Sequence, residues 1–273
     1  MFSRRSRSFD DSSLSTKITF TASKLTRLTD FLKVKRSKPV DRKQLLLKKL
    51  QDQRSKKVIF LSHCLLNENT RYAGGACKAC FDSEITNLCA ENKWGMVQMP
   101  CPEQQAWGGV LKRRLLLLYG TRTTFFYPLL KVALPFFLAY TRWVYRRQAK
   151  QTASQIKDYL ATGFEVVGVV GVDGSPSCGV TKTLAINKVI TSLASLDVNT
   201  VTVKKMNSVI RNCLVEGSGI YTQSLKQELK KRKLAMPLAG YDLVAELDGN
   251  PALIDLKPPV IKPPITGQTI ITM

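Results

Sequence analysis

The chain is 273 residues long, 44% hydrophobic and 23% charged, ordinary for a globular protein and enough for one large α/β domain with extensions or two small domains. Its net charge of +22 is concentrated: residues 1–57 carry 17 Lys/Arg against 5 Asp/Glu, residues 111–150 carry 9 against none, and the remainder is nearly neutral. Seven cysteines, an odd number in a long chain with no short apolar stretch behind a charged start, argue against a secreted disulfide framework and for reduced, buried or metal-bound thiols in a cytoplasmic setting.

In chain order, residues 1–56 read as a basic extension without a core of its own. The Arg/Ser-rich start leaves organellar targeting open, against which stand Asp10 and Asp11. A charged helix-forming run, Asp41 to Lys57, leads into Val58-Ile59-Phe60-Leu61, whose β-branched and aromatic residues predict a buried strand. Residues 82–92 predict a helix, and Met96 to Met99 a second strand stopped by Pro100-Cys101-Pro102. An amphipathic helix is expected over 148–162, closed by Gly163. Phe164 to Val172 is the clearest strand, apolar on both faces as a central parallel strand should be. A helix is expected to restart near Thr181, a further strand at 199–203, a basic helix from Tyr221 to Lys233 and an edge strand at 235–238. The Pro-rich tail from Gly249 reads as extended.

Alternating strands and helices predict an α/β fold, a three-layer, Rossmann-like sandwich around a mainly parallel sheet. The domain spans 57–248, with an apolar, basic, helical insertion at about 111–150, a 1–56 extension and a 249–273 tail. Cys64, Cys101 and Cys178 each sit just past the C-terminal end of a predicted strand. In an open α/β sheet those ends face one crevice, so three residues far apart in sequence meet there. A lone buried cysteine is usually a small hydrophobe; the shared placement, with Pro or Gly beside two of the three, is what points to a site.

The segments Ser62-His63-Cys64-Leu65-Leu66-Asn67, Cys101-Pro102-Glu103, Gly168 to Val180 and Gly217 to Tyr221 resemble the DUF523 family, which includes the thiouracil desulfidases. The resemblance covers roughly residues 57–245, interrupted by the insertion. It is closer to a desulfidase-related branch with His-Cys-x-Leu-Asn in its first motif; the thiouracil enzymes typically have Ala before that cysteine and Gly in place of Asn67. The resemblance implies a [4Fe–4S] cluster held by Cys64, Cys101 and Cys178, with one iron left open to accept the sulfur of a thiocarbonyl such as a thiolated pyrimidine. Water then replaces sulfur at carbon with no net redox. Glu103 is implied as the general acid/base and Ser175 as a hydrogen-bond partner of substrate or attacking water. His63, Asn67 and Ser177 are the expected substrate contacts, with Arg71 a further candidate. Two other readings stay open: a desulfidase of thiolated bases in tRNA, and a non-catalytic cluster-bearing sensor or sulfur-binding module.

Cys77-Lys78-Ala79-Cys80 is a C-x-x-C without the second pair that a structural zinc needs, and reads as a loop, with a sulfur relay as the alternative. Residues 123–140 are strongly apolar but interrupted by Lys131 and two prolines. They predict either a helical pair packed on the sheet or forming a dimer interface, or a segment lying on an anionic membrane surface. The basic segments 1–57 and 111–150 are accordingly expected to meet RNA, anionic lipid or solvent alone.

Overall fold

The computed structural model describes residues 42, 45, 46, 48–252 and 254. Most of the basic extension and of the Pro-rich tail therefore lies outside the described residues. The chain divides into two units, Met1–Arg54 and Ser55–Met273. In the first, residues 42, 45, 46, 48 and 49 are helical; the predicted helix over 41–57 has ended by residue 51, and Lys57 already belongs to a strand.

Val58 to Leu61 form β1 (Lys57–Leu61), buried on both faces as its unbroken apolar run dictates. It pairs in parallel with β2 (Gly95–Gln98) on one side and β3 (Glu165–Asp173) on the other. Beyond β3 lies β6 (Leu238–Asp242), also parallel, giving the order β2-β1-β3-β6. With helices on both sides, this is an α/β fold around a parallel sheet. The chain winds outward from β1 to β2, then returns past β1 to β3. The switch in direction opens a crevice beyond the carboxyl ends of β1 and β3.

The helices are α1 (His63–Leu66), α2 (Ser83–Glu91), α3 (Pro102–Ala106), α4 (Arg113–Leu116), α5 (Tyr127–Ala161), α6 (Ile186–Ala194), α7 (Val203–Asn212), α8 (Ile220–Lys231) and α9 (Leu243–Leu247). The predicted helix over 148–162 is the end of α5, which runs on from the insertion without a break. Pro128 falls in its first turn, where no amide donor is needed, and Pro135 is accommodated inside it. From Thr141 onward α5 buries a face that includes Val144, Tyr145, Ala149 and Ile156, packed with α8, where Thr152 Oγ1 meets Tyr221 OH at 2.8 Å. Phe60 of β1 meets Tyr159 edge-on, with ring centroids 5.8 Å apart.

Two expectations are corrected. Residues 182–184 form a short strand, β4 (Lys182–Leu184), antiparallel to β5 (Leu214–Glu216), and the helix starts only at Ile186. The partner strand is thirty residues away, so no local signal reveals the pairing. Residues 199–203 form no strand; Thr202 accepts from the Lys205 amide and caps α7, with Val203 its first residue. The β-branched run Thr200 to Val203 marks a helix entrance because the cap overrides residue preference. These elements close a second apolar cluster of Leu184, Val189, Leu193, Met206 and Ile210.

A charge network ties the loop after α1 to α9. Arg71 Nη1 donates to Glu246 Oε2 at 2.6 Å, and Nη2 lies 3.1 Å from Glu68 Oε1. Asp82 caps α2 through the Ile85 amide and accepts from Tyr241 OH at 2.7 Å while pairing with Lys78. Burial pushes the Asp82 carboxyl up, but Lys78, the Ile85 amide and Tyr241 outweigh it and hold the group below its ordinary value. A lowered folded pKa means that the native state binds fewer protons than the unfolded chain. The stabilisation is therefore present above the unfolded value of about 3.9 and is lost as pH falls through the folded value. Asp82→Asn is expected to lower stability at neutral pH and to flatten the loss of stability below about pH 4. Urea midpoints measured across that range check it, and an unchanged acid slope refutes it.

Candidate functional site

Each cysteine of the predicted trio follows a strand of the sheet. Cys64 sits in the first turn of α1, directly after β1; Cys101 is the N-cap residue of α3, after β2; Cys178 lies in the loop that leaves β3. Because the three strands are adjacent and parallel, their carboxyl ends deliver all three thiols to the wall of one cavity of about 110 Å³. His63, Arg71, Glu103, Lys112, Ser175 and Ser177 line the same space.

The Cys178 loop is shaped by close backbone packing. A Cβ at Gly171 would stand 2.0 Å from the Cys178 carbonyl oxygen, and one at Gly219 2.3 Å from that of Ser177. Only glycine lets the loop fold back onto β3 and onto the entry to α8. The first amides of α8 then donate to it: Ile220 N to Pro176 O at 3.2 Å and Tyr221 N to Ser177 O at 3.0 Å. Asp173, at the end of β3, accepts from the amides of Val180 and Thr181 at 2.6 and 2.9 Å and fixes the far side.

The thiols differ electrostatically. A hydrogen bond from Cys64, with further ones from Ser175 and Ser62, lowers Cys178 to about 6 despite its burial. Cys64, as the donor of that bond and buried as well, is pushed up. Burial raises Cys101 to about 12. Arg71 lies beside Cys64, and Lys112 beside Cys101 and Cys64, so two fixed cations offset negative charge on sulfur.

Beside the thiols, Glu103 is buried and fully engaged. Its Oε1 accepts from Ser177 Oγ at 2.7 Å and Ser175 Oγ at 3.0 Å, and its Oε2 lies 2.6 Å from Lys112 Nζ. Burial pushes the carboxyl up; the charge of Lys112 and the hydrogen bonds of Lys112, Ser177 and Ser175 more than offset this and hold it below its usual value. Glu103 is therefore ionised at neutral pH, the state of a proton acceptor. Lys112, also buried, is held protonated by Glu103 against its own desolvation. Its backbone is in the left-handed region, at φ 50°, a conformation that costs a non-glycine residue about 1 kcal/mol.

Sequence reasoning passed over Lys112, counting it only among the charges of the insertion. Nothing in its local sequence marks it, because its partner Glu103 stands on a separate element, α3. Tyr145 was likewise missed. Its buried hydroxyl has no hydrogen-bond partner and lies near Glu103, Cys101 and Cys178, where burial pushes its pKa up. The sole histidine, His63, accepts a short contact at Nδ1 from Gln98 Nε2, and burial lowers its pKa.

Asn67 is not brought to the cavity wall. Its Oδ1 accepts from the Asn69 amide at 3.2 Å and caps the turn at Glu68–Thr70. Cys77 and Cys80 are exposed, and their loop wraps Glu68, whose Oε2 accepts from the amides of Cys77 and Lys78 at 2.8 Å each. Cys89 and Cys213 are buried in apolar clusters and are not among the residues lining the cavity. Among the described residues, the one group of His, Cys, Asp or Glu whose ligand atoms all lie within 4.8 Å is Glu68, Asp82 and Glu246. Arg71 and Lys78 already neutralise those carboxylates.

The thiol trio is thus more open than a cage for one zinc ion, where Zn–S bonds of about 2.3 Å place thiolates about 3.8 Å apart. Cys64, Cys101 and Cys178 are in no disulfide and lie beside Arg71 and Lys112, and among the described residues they do not form a group whose sulfurs all lie within 4.8 Å of one another. No fourth cysteine lines the cavity.

Removing one partner of a buried ion pair leaves an uncompensated charge, at a cost of about 3–5 kcal/mol. Lys112→Met is expected to destabilise the protein by about that amount, and adding Glu103→Gln is expected to restore most of it. Denaturant unfolding of the single and double variants tests the coupling; additive losses would refute it.

Compared with known proteins, the chain matches no family model, no curated protein and no solved structure.

Proposed function

We propose that the protein is an iron–sulfur-dependent desulfidase that replaces the sulfur of a thiocarbonyl compound, such as a thiolated pyrimidine, with oxygen from water. The observation that carries this reading is the convergence of Cys64, Cys101 and Cys178 on one cavity beside an ionised, buried Glu103. The resemblance of the same segments to DUF523 supports it from the sequence side. We also infer a three-layer, Rossmann-like sandwich for the sheet and its helices. A reducing, cytoplasmic compartment suits seven cysteines of which none is in a disulfide.

In this reading the three cysteines hold a [4Fe–4S] cluster. When bound, it supplies an iron without a protein ligand, a soft Lewis acid for the departing sulfur. The chain's own residues manage protons and position. Glu103 takes one proton from water as oxygen attacks the thiocarbonyl carbon and passes it to sulfur; the remaining O–H proton follows by the same route as C=O forms and the C–S bond breaks, so sulfur leaves as hydrogen sulfide and Glu103 is returned ionised. The carbon exchanges one divalent partner for another, so no oxidant or reductant is consumed. Lys112 keeps Glu103 ionised before the proton arrives. Ser175 and Ser177 orient its Oε1, and either hydroxyl turns toward the attacking water or the substrate once released from it. With Nδ1 engaged by Gln98, His63 presents an Nε2–H donor to the cavity.

Anaerobic reconstitution with iron and sulfide tests the reading. About four irons per chain and a visible absorbance band are expected, each lost in Cys64→Ser, Cys101→Ser or Cys178→Ser and retained in Cys80→Ser. Glu103→Gln is expected to keep its iron and lose about 10²–10⁴-fold in sulfide release from a thiopyrimidine. A folded protein that takes up no iron overturns the cluster. Iron uptake with thio-compound binding but no sulfide release would leave a sensor in place of an enzyme.

A further inference from the structure

The first half of α5 is uncovered. No residue from Tyr127 to Tyr140 is buried, although the segment holds eleven apolar or aromatic side chains and a single charge, Lys131. Phe125 (92% exposed) stands in the turn before the helix, whose outer side carries Leu129, Val132, Phe136 (74%), Tyr140 and Trp143 (57%) at intervals of three and four. That spacing puts them on one face. From Leu129 to Trp143 the stripe is about 21 Å long at the helical rise of about 1.5 Å per residue. Among the described residues no helix is long and apolar enough to cross a membrane.

The charge around this stripe has one sign. Residues 111–150 hold nine Lys/Arg and no acid. Lys112 turns inward to Glu103; the other eight are exposed at the surface or partly held along aromatic rings. The Arg114 guanidinium lies 5.5 Å from the Tyr140 ring, Lys131 Nζ 5.0 Å from that of Tyr127, and the Arg147 guanidinium 5.9 Å from that of Trp143. Tyr140 and Trp143 stack with centroids 6.2 Å apart. Aromatic rings with cations along their edges belong at the headgroup level of a bilayer, with aliphatic side chains just below.

We propose that this face of α5, with the loop before it, seats in the plane of an anionic lipid surface and makes the protein a peripheral membrane protein. Lipid satisfies both halves of the surface: acyl chains take Phe125, Leu129, Val132 and Phe136, and anionic headgroups take the arginines. RNA phosphates answer the charge but leave the aliphatic stripe in water. A second copy docked by two-fold symmetry sets this acid-free cationic segment against itself. Leu115, Leu116 and Tyr119, from the same insertion, also line the cavity, so the docked face adjoins the candidate site.

Cosedimentation of the full chain with phosphatidylcholine vesicles, with and without about one-third phosphatidylglycerol, tests the proposal. Binding to the anionic vesicles only, weakening with salt, is expected. The basic N-terminal stretch also attracts such vesicles, so the decisive comparison is Phe125→Asp/Phe136→Asp. Both side chains are exposed and their replacement spares the core. This variant is expected to keep its circular dichroism and monomeric mass and to lose at least about tenfold in partitioning. Arg142→Gln, Arg146→Gln and Arg147→Gln are each expected to lose up to about fivefold. Unchanged partitioning of the double Phe variant overturns the proposal. So does a wild-type dimer that the same variant dissociates. Salt-sensitive RNA binding that needs the arginines but not the phenylalanines, with no vesicle binding, overturns it as well.

Discussion

Glu103 and Lys112 close on each other across 2.6 Å in the buried wall of the cavity, and much of the site rests on that contact. A buried carboxylate alone would take up a proton, and a buried ammonium alone would lose one. Together each holds the other charged. The pair joins α3, which carries Cys101, to the start of the insertion, and it gives Ser175 and Ser177 an anionic oxygen to converge on. The left-handed backbone at Lys112 is tolerated because the ion pair and two hydroxyl hydrogen bonds outweigh its roughly 1 kcal/mol of strain. An insertion that reads as an appendage thus supplies the counter-ion of the central carboxylate.

The sheet contributes geometry that no single segment holds. Parallel strands in the order β2-β1-β3 send three successive chain exits to the same edge, so thiols 37 and 77 residues apart face one cavity. Around them the backbone is fixed by contacts that tolerate no side chain, at Gly171 and Gly219, and by Asp173 gripping the Cys178 loop. The network of Glu68, Arg71, Lys78, Asp82 and Glu246 does the same for the loop after Cys64. It also gives the exposed C-x-x-C a structural setting, with its amides folded round a carboxylate.

α5 joins two environments in one element. From Thr141 it packs against α8 over the sheet; before that residue Phe137 touches the core while Leu129, Val132, Phe136 and Tyr140 are exposed among cations. Residues 127–140 belong to one long helix in place of a helical pair, and it is the part from Thr141 onward that buries a face. Local hydropathy misplaces the changeover, because the residues before Thr141 are the more apolar and yet it is the amphipathic stretch after it that buries a face.

The sequence by itself determined the strands β1 and β3, the helices α2 and α8, and the strand-end placement of Cys64, Cys101 and Cys178, since each depends on periodicity and turn residues within a few positions. It also marked Glu103, Ser175 and Ser177 through the motifs that hold them. Tertiary structure alone decided that β4 pairs with β5, that Thr202 caps a helix in place of ending a strand, and that Asn67 caps a turn away from the cavity. It alone assigned Lys112 to Glu103 and buried Tyr145 near Glu103 and two of the thiols. Those facts depend on partners distant in the chain, and burial and charge pairing act through space, where neighbours in sequence carry no record of them.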